Sequence, residues 1–247
     1  MSEAGYVEER ERGARIVALP SVVGTVRAAI AGAGTLHDAA AAVPGAESFT
    51  GRGAAYRMRS ADGDWLVRHY RRGGLVARVL EDEYLRVGVP RPLRELRASA
   101  AARSRGVTTP EVVAAVTYPA GPVYRADLAT TFIEGGADLA DITFGSGSDN
   151  VQDGVREAAW RAAGALLRTA FAAGVDHADL NLRNILVTAD GTAYLLDLDR
   201  AIVHEGSVSD VARNRMLERL HRSRRKLESV HGRQVGQAEL RAFEAAL

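Results

Sequence analysis

The sequence predicts an α+β fold in two lobes, with a β-rich first part and an α-rich second part. Three observations carry this. Short apolar runs with turn signals between them fill the chain up to about residue 133, long helical periodicity follows, and Gly135-Gly136 stands at the change. That connector is the expected floor of a cleft. The 247 residues suffice for one large domain or two small lobes around a sizeable core.

The elements follow in order. Residues 1 to about 15 are charged and read as frayed and solvated. Residues 21–43 read as an Ala-rich helical segment ended by Pro44-Gly45. Ala54–Arg59 and Trp65–Tyr70 flank the turn Ala61-Asp62-Gly63-Asp64 and read as a hairpin. Arg91–Arg105 reads as a helix, with Pro92 in its first turn, Leu93, Leu96 and Ala100 on one face and Gly106 at its end. Val112–Tyr118 and Asp127–Ile133 are strand candidates. Val151–Ala173 reads as a long helix whose buried stripe is Val155, Ala159, Ala162, Leu166 and Ala170. Ile185–Val187 and Tyr194–Leu196 form a second hairpin, and the tail from about Ser209 is helical and charged.

Composition excludes several function classes. Hydrophobic residues at 47% rule out a disordered chain, and a net charge of +1 argues against a wholesale nucleic-acid binder. The absence of cysteine excludes disulfides, Cys-ligated zinc, iron–sulfur clusters and thiol nucleophiles. Of the 32 basic residues only Lys226 is lysine, so chemistry that needs an amine must use Lys226 or do without. The N-terminus MSEAGYVEERERGAR lacks an apolar signal core, and Val22–Val43 is interrupted by glycines and charges. The expected location is the cytoplasm.

The informative segment is His177-Ala-Asp179-Leu-Asn181-Leu-Arg-Asn184, followed by strand, turn, strand and Asp197-Leu-Asp199. His-x-Asp-x-x-x-x-Asn has a chance expectation of roughly 0.006 occurrences in a chain of this composition. Asp179 is placed to accept or orient a hydroxyl proton, Asn184 offers an amide oxygen to Mg²⁺, and the hairpin returns Asp197 as a charged metal ligand. The bland reading is a capped turn between helix and hairpin. His177 reads as structural, and Asp199 as either a second metal contact or a partner of backbone or Arg200.

This loop resembles the catalytic loop of the protein-kinase-like superfamily, with Asp197-Leu198-Asp199 in the place of its D-F-G. The resemblance implies a bilobal kinase-like fold that binds ATP and Mg²⁺ between a β-rich N-lobe and an α-rich C-lobe. Residues 1–48 are then an N-terminal helical extension, 49–135 the N-lobe and 136–247 the C-lobe of one kinase-like domain. Gly51-Arg-Gly53-Ala-Ala-Tyr56 looks like the phosphate-covering glycine loop, where Gly51 and Gly53 let the backbone approach. Arg68 stands in the place of the phosphate-pairing lysine, with Glu95 as its acidic partner and Glu81 and Glu83 as rivals. Ala178 replaces the usual arginine of protein kinases, and too few residues follow Asp199 for a protein-substrate lobe.

The sharper resemblance is to bacterial lipopolysaccharide core kinases, most of all those acting on 3-deoxy-D-manno-octulosonic acid (Kdo). It rests on GRGAAY, LVRHYRRGG, RPLRELRAS, RGVTTP, YRADLATTFIEGGADL, HADLNLRNILV and YLLDLDRA, over about residues 36–226. It implies ATP-dependent phosphorylation of a Kdo hydroxyl in the lipid A–Kdo inner core, at the cytoplasmic face of the inner membrane, with no nucleic-acid partner. An aminoglycoside- or choline-type kinase and a nucleotide-binding pseudokinase scaffold are the alternatives. The basic tail (Arg213, Arg219, Arg222, Arg224, Arg225 and Lys226) either solvates a packed helix or faces anionic lipid.

Overall fold

The computed structural model describes residues 5–49, 54–70, 83–145 and 153–247. Gly51, Gly53, Arg71, Arg72 and Glu81 lie outside the described residues. Two compact units are present, one of residues 1–97 and 111–132 and the other of residues 98–110 and 133–247.

The first unit is an antiparallel sheet with helices on both faces. Its elements are β1 (Val7–Glu11), β2 (Ala14–Ala18), α1 (Val23–Ala33), α2 (Leu36–Ala41), β3 (Ser48–Phe49), β4 (Ala55–Ser60), β5 (Gly63–His69), β6 (Tyr84–Leu85), the first half of α3 (Arg91–Ser104, which belongs to the second unit from Ala98 on), β7 (Val112–Ala120) and β8 (Val123–Thr131). The strand order is β1-β2-β7-β8-β5-β4-β3, with β6 on β8. Side chains alternate between the faces. Ile16, Trp65, Val67, Val113 and Val116 meet Val26, Ile30 and Leu36 of α1 and α2, whereas Val17, Ala115, Ala126 and Leu128 meet Leu93 and Leu96 of α3.

Four expectations need correction here. The residues read as frayed form a strand pair whose second strand adds to β7, with Arg15 opposite Thr117 and Ala18 opposite Ala114. Dense charge hid it: Glu9 and Glu11 alternate outward to pair with Arg27 of α1, so solvated side chains lie on a well-paired backbone. Residues 1–48 are therefore not a helical extension but a hairpin plus two helices that share the main sheet. The single helix of 21–43 is two helices, because Gly34 at φ +88 stops α1 and Thr35 caps α2 through the Asp38 amide. The strands at 112–133 pair from Val112–Ala120 to Val123–Thr131, so Pro119 lies within the ladder and the turn is shorter than read.

The second unit contains β9 (Ala137–Asp138), α4 (Leu139–Phe144), α5 (Asp153–Ala172), β10 (Val175–Asp176), β11 (Ile185–Val187), β12 (Ala193–Leu195), β13 (Ile202–Val203), α6 (Asp210–His231) and α7 (Gln237–Ala246). Its core joins Trp160, Leu167, Leu182, Met216 and Phe243. Ala159, Leu166 and Ala170 of the expected α5 stripe are buried, and the buried face widens to one side of it. Val155 is exposed, while Arg156, Trp160, Ala163 and Leu167 are buried, because α7 packs on that side. Gly164 lies so close to the Phe243 carbonyl that a Cβ there would collide with it. No helix among the described residues is long and apolar enough to cross a membrane.

Candidate active site

The segment from His177 to Arg200 is held by two nested antiparallel pairings. Outermost, β10 pairs with β13, Val175 opposite Val203 and Asp176 opposite Ile202. Within it, β11 pairs with β12, Ile185 opposite Leu195 and Val187 opposite Ala193. The entry is a sharp turn after α5 at Gly174, where φ is +80 and any Cβ would meet the carbonyls of His204 and Gly206. Only glycine fits, and that starts the loop in register.

The inner register brings the motif residues together. Extending it by one residue sets Asn184 beside Leu196, whose amide donates to the Asn184 carbonyl at 2.9 Å. Asn184 and Asp197 therefore share one end of the hairpin. Asp197 has φ +60, a left-handed conformation that costs a non-glycine residue roughly 1–2 kcal/mol. Such a residue at a strand end re-aims its side chain, and this kind of strain collects at functional sites.

Asp179 is fixed by its own backbone. Its carbonyl accepts from Asn181 Nδ2 at 2.8 Å and Asn184 Nδ2 at 3.0 Å. His177 bridges the two halves of the segment: its Nε2 meets the Leu196 carbonyl at 2.9 Å, and its Nδ1 accepts the Asp179 amide at 3.3 Å. With Nε2 protonated, both ring atoms are engaged, which is the structural role expected for this histidine. The Asp179 carboxylate is half-exposed and receives Arg200 Nη1 at 3.0 Å. Arg200 pairs with Asp179 and not with its neighbour Asp199, which is buried.

Further supports escaped the sequence reading. Arg183 reaches Asp138 and Asp141 at 3.3 and 3.1 Å, tying the loop to the start of α4. Asp138 caps that helix through the Asp141 amide at 2.8 Å, and burial pushes its carboxyl above the usual range. The Asp138-x-x-Asp141 spacing was the available signal. The tail helix α6 backs the loop: the His177 amide meets Met216 Sδ at 3.1 Å, the Leu182 amide meets Ser223 Oγ at 3.4 Å, and Arg215 pairs with Asp176 at 2.5 Å. Part of the basic tail is thus committed internally. Arg213 lies over the Phe171 ring and Arg224 pairs with Glu228, whereas Arg222, Arg225 and Lys226 are exposed.

In the first unit, β5 alternation places Trp65 and Val67 on the α1 face and Arg68 on the α3 face. There Arg68 Nη2 pairs with Glu95 Oε1 and lies over the Tyr70 ring. Tyr70 donates its hydroxyl to the other Glu95 oxygen. The Glu95 side chain is 5% exposed between the buried Leu93 and Leu96, and Arg68 is 29% exposed. A carboxylate so buried needs these donors. Of the acidic residues considered for Arg68, Glu95 is in contact with it, Glu81 lies outside the described residues, and Glu83 carries no ion pair among the described residues.

Known proteins share both the sequence and the fold. Residues 41–246 match the family model described as "Lipopolysaccharide kinase (Kdo/WaaP) family". A 3-deoxy-D-manno-octulosonic acid kinase of Stenotrophomonas maltophilia (strain K279a) is 37% identical over 202 residues, covering 79% of this chain and 77% of that protein. The namesake of Xanthomonas euvesicatoria pv. vesicatoria is also 37% identical, over 74% of this chain and 71% of its own length. Among solved structures, WaaP in complex with acyl carrier protein superposes with a TM-score of 0.52 at 16% identity, covering 81% of this chain and 78% of that one. That likeness shows a shared kinase-like fold. With a family model spanning most of its length and relatives matched along most of theirs, the chain belongs to the lipopolysaccharide kinase (Kdo/WaaP) family.

Proposed function

We propose that this chain transfers the γ-phosphoryl group of ATP to a hydroxyl of Kdo in the lipid A–Kdo inner core. The observation that carries the reading is the hairpin register that sets Asn184 beside Asp197, with Asn184 also bonded to the Asp179 backbone. Asp179 positions the sugar hydroxyl and accepts its proton, and Arg200 keeps that carboxylate in place. Arg68, oriented by Glu95, supplies positive charge for the α- and β-phosphates, and Gly51 and Gly53 allow the backbone to approach them. Phosphoryl transfer then needs positioning and charge stabilisation and no covalent enzyme intermediate.

The donor set suits Mg²⁺. The Asn184 amide nitrogen is used on the Asp179 carbonyl, so its oxygen is the atom left for a cation, and Asp197 adds a carboxylate. Two hard oxygen donors suit an ion that takes its remaining ligands from phosphates and water. When bound, Mg²⁺ neutralises phosphate charge. At the acceptor side, Arg222, Arg225 and Lys226 on α6 offer a basic face to anionic head groups at the cytoplasmic face of the inner membrane.

The deciding experiment measures ATP consumption by the purified chain with and without Kdo–lipid A. Kdo-dependent turnover that disappears in Asp179→Ala, with nucleotide binding kept, supports the assignment. Wild-type rates in Asp179→Ala would remove Asp179 from its role. ATP binding with no transfer to any sugar would favour a scaffold.

A further inference from the structure

The outer edge of the first unit's sheet holds a cavity of ≈ 240 Å³ that neither the catalytic loop nor the Arg68–Glu95 pair uses. Three arginines from separate segments line it: Arg10 of β1, Arg15 of β2 and Arg86 just after β6, with Thr117 at its wall. The first two stand directly opposite each other in the β1–β2 register, and Arg15 stands opposite Thr117 on β7. Like charges in facing cross-strand positions are destabilising. One carboxylate relieves them: Glu8 takes Arg15 in a bidentate pair at 2.8 and 2.9 Å, and Arg15 holds its carboxyl below the ordinary range. The other acids of β1 are turned away, because Glu9 and Glu11 pair with Arg27 of α1. Arg10 has no ion-pair partner among the described residues, and Arg86 is steadied by the Gly121 carbonyl at 3.2 Å. Among the described residues, the cavity thus gathers more positive charge than its ion pairs neutralise.

The segment that brings Arg86 carries a second feature. Arg86, Gly88 and Pro90 line the cavity, and the residues just before and between them are exposed aliphatics: Leu85 at 58%, Val87 at 83% and Val89 at 40%. Exposed apolar side chains next in sequence to residues lining a basic cavity match a lipid, whose phosphate and acyl region are covalently joined. Guanidinium groups suit phosphate because they donate in a planar fork.

We propose that this edge is a lipid-phosphate site, in which Arg10 and Arg86 hold the phosphomonoester of a membrane-borne anionic lipid beside the Glu8-paired Arg15, while Leu85, Val87 and Val89 enter the apolar layer beneath it. The phosphate comes either from the acceptor glycolipid, which rests on the kinase reading above, or from the surrounding bilayer. No bond forms or breaks; the site binds.

The test is flotation of the full chain with vesicles of phosphatidylcholine alone or doped with phosphatidic acid, a phosphomonoester lipid. Binding is expected only to the doped vesicles. The double variant Arg10→Gln/Arg86→Gln is expected to bind roughly thirtyfold more weakly, from two basic residues removed near an anionic surface. Val87→Asp is expected to weaken binding without changing the response to soluble phosphate. Thermal unfolding of each variant checks that it is folded, and Arg86→Gln alone, at an exposed position, stands in should the double variant unfold.

Added unlabelled Kdo–lipid A separates the two sources. If it displaces the chain from doped vesicles at concentrations where phosphatidic acid micelles do not, the acceptor is the source; equal displacement assigns the bilayer. Several results would overturn the proposal: equal binding by wild type and double variant, loss of binding only in Arg222→Gln/Arg225→Gln/Lys226→Gln on α6, or stabilisation by inorganic phosphate with no vesicle binding. None of these readings uses phosphoryl transfer, so the site and the kinase assignment can fail separately.

Discussion

The catalytic segment and the Arg68–Glu95 pair hold charged groups in opposite ways. Asp179 is half-exposed, and hydrogen bonds from nearby backbone and from residues a few positions away set its place. Glu95 is buried on a helix face and meets an arginine from a strand 27 residues earlier. In the first, chain connectivity through a short hairpin does the positioning. In the second, sheet and helix packing does, and the ion pair stands only while both elements stay docked. A loop site of this kind tolerates changes in the first unit's core, whereas a packed pair responds to any change in the strand or helix that bears it.

That contrast can be broken by mutation. The largest expected effect is on turnover: Asp179→Ala should lower kcat about 10²–10⁴-fold with the unfolding midpoint unchanged, read by steady-state kinetics and calorimetry. Next, Glu95→Ala should cost about 2–4 kcal/mol in denaturant unfolding, because it removes the buried carboxylate that accepts from both Arg68 and the Tyr70 hydroxyl. A double-mutant cycle with Arg68→Ala should show coupling between the two. If Glu95→Ala instead left stability intact, packing would not hold this pair.

Gly174→Ala should cost about 2 kcal/mol or more, from the left-handed backbone and from carbonyls in the way of the new methyl group. Arg200→Gln is milder. An exposed ion pair is worth about 1 kcal/mol or less, so turnover should drop at most about fivefold. The smallest effect is a slope. Burial, helped by Arg224 and Arg225, pushes His221 below the ordinary histidine value of 6.5. The unfolded chain then takes up the proton more readily, so stability should fall as pH drops below that value and level off once the folded histidine is also protonated. His221→Gln should flatten the profile in that window.

Legibility followed sequence separation. Helix α5 and both read hairpins were visible because turn residues and short-range periodicity set them, and the spacing of Asp179, Asn184 and Asp197 singled those residues out as candidates. The β1–β2 hairpin was not, since its pattern of charges resembles a solvated tail until Arg27 of α1 and the edge of β7 are present. The widening of the buried face of α5 depended on where α7 packs. The buried Asp127, which accepts from Tyr118, His37 and His69, carried no local signal, because its partners come from three other elements.

By itself the sequence predicted that a carboxylate, an amide and a second carboxylate meet at the end of one hairpin, and it set arginine, not lysine, at position 68. A hairpin's register follows from its turn, so spacing along the chain becomes spacing in space. Which acid meets Arg68, that helix α6 braces the catalytic loop through Met216 and Arg215, and that Arg10, Arg15 and Arg86 line one cavity were decided by tertiary packing alone. Those contacts join residues tens of positions apart, and only the docking of whole strands and helices, driven by burial of their apolar faces, selects them.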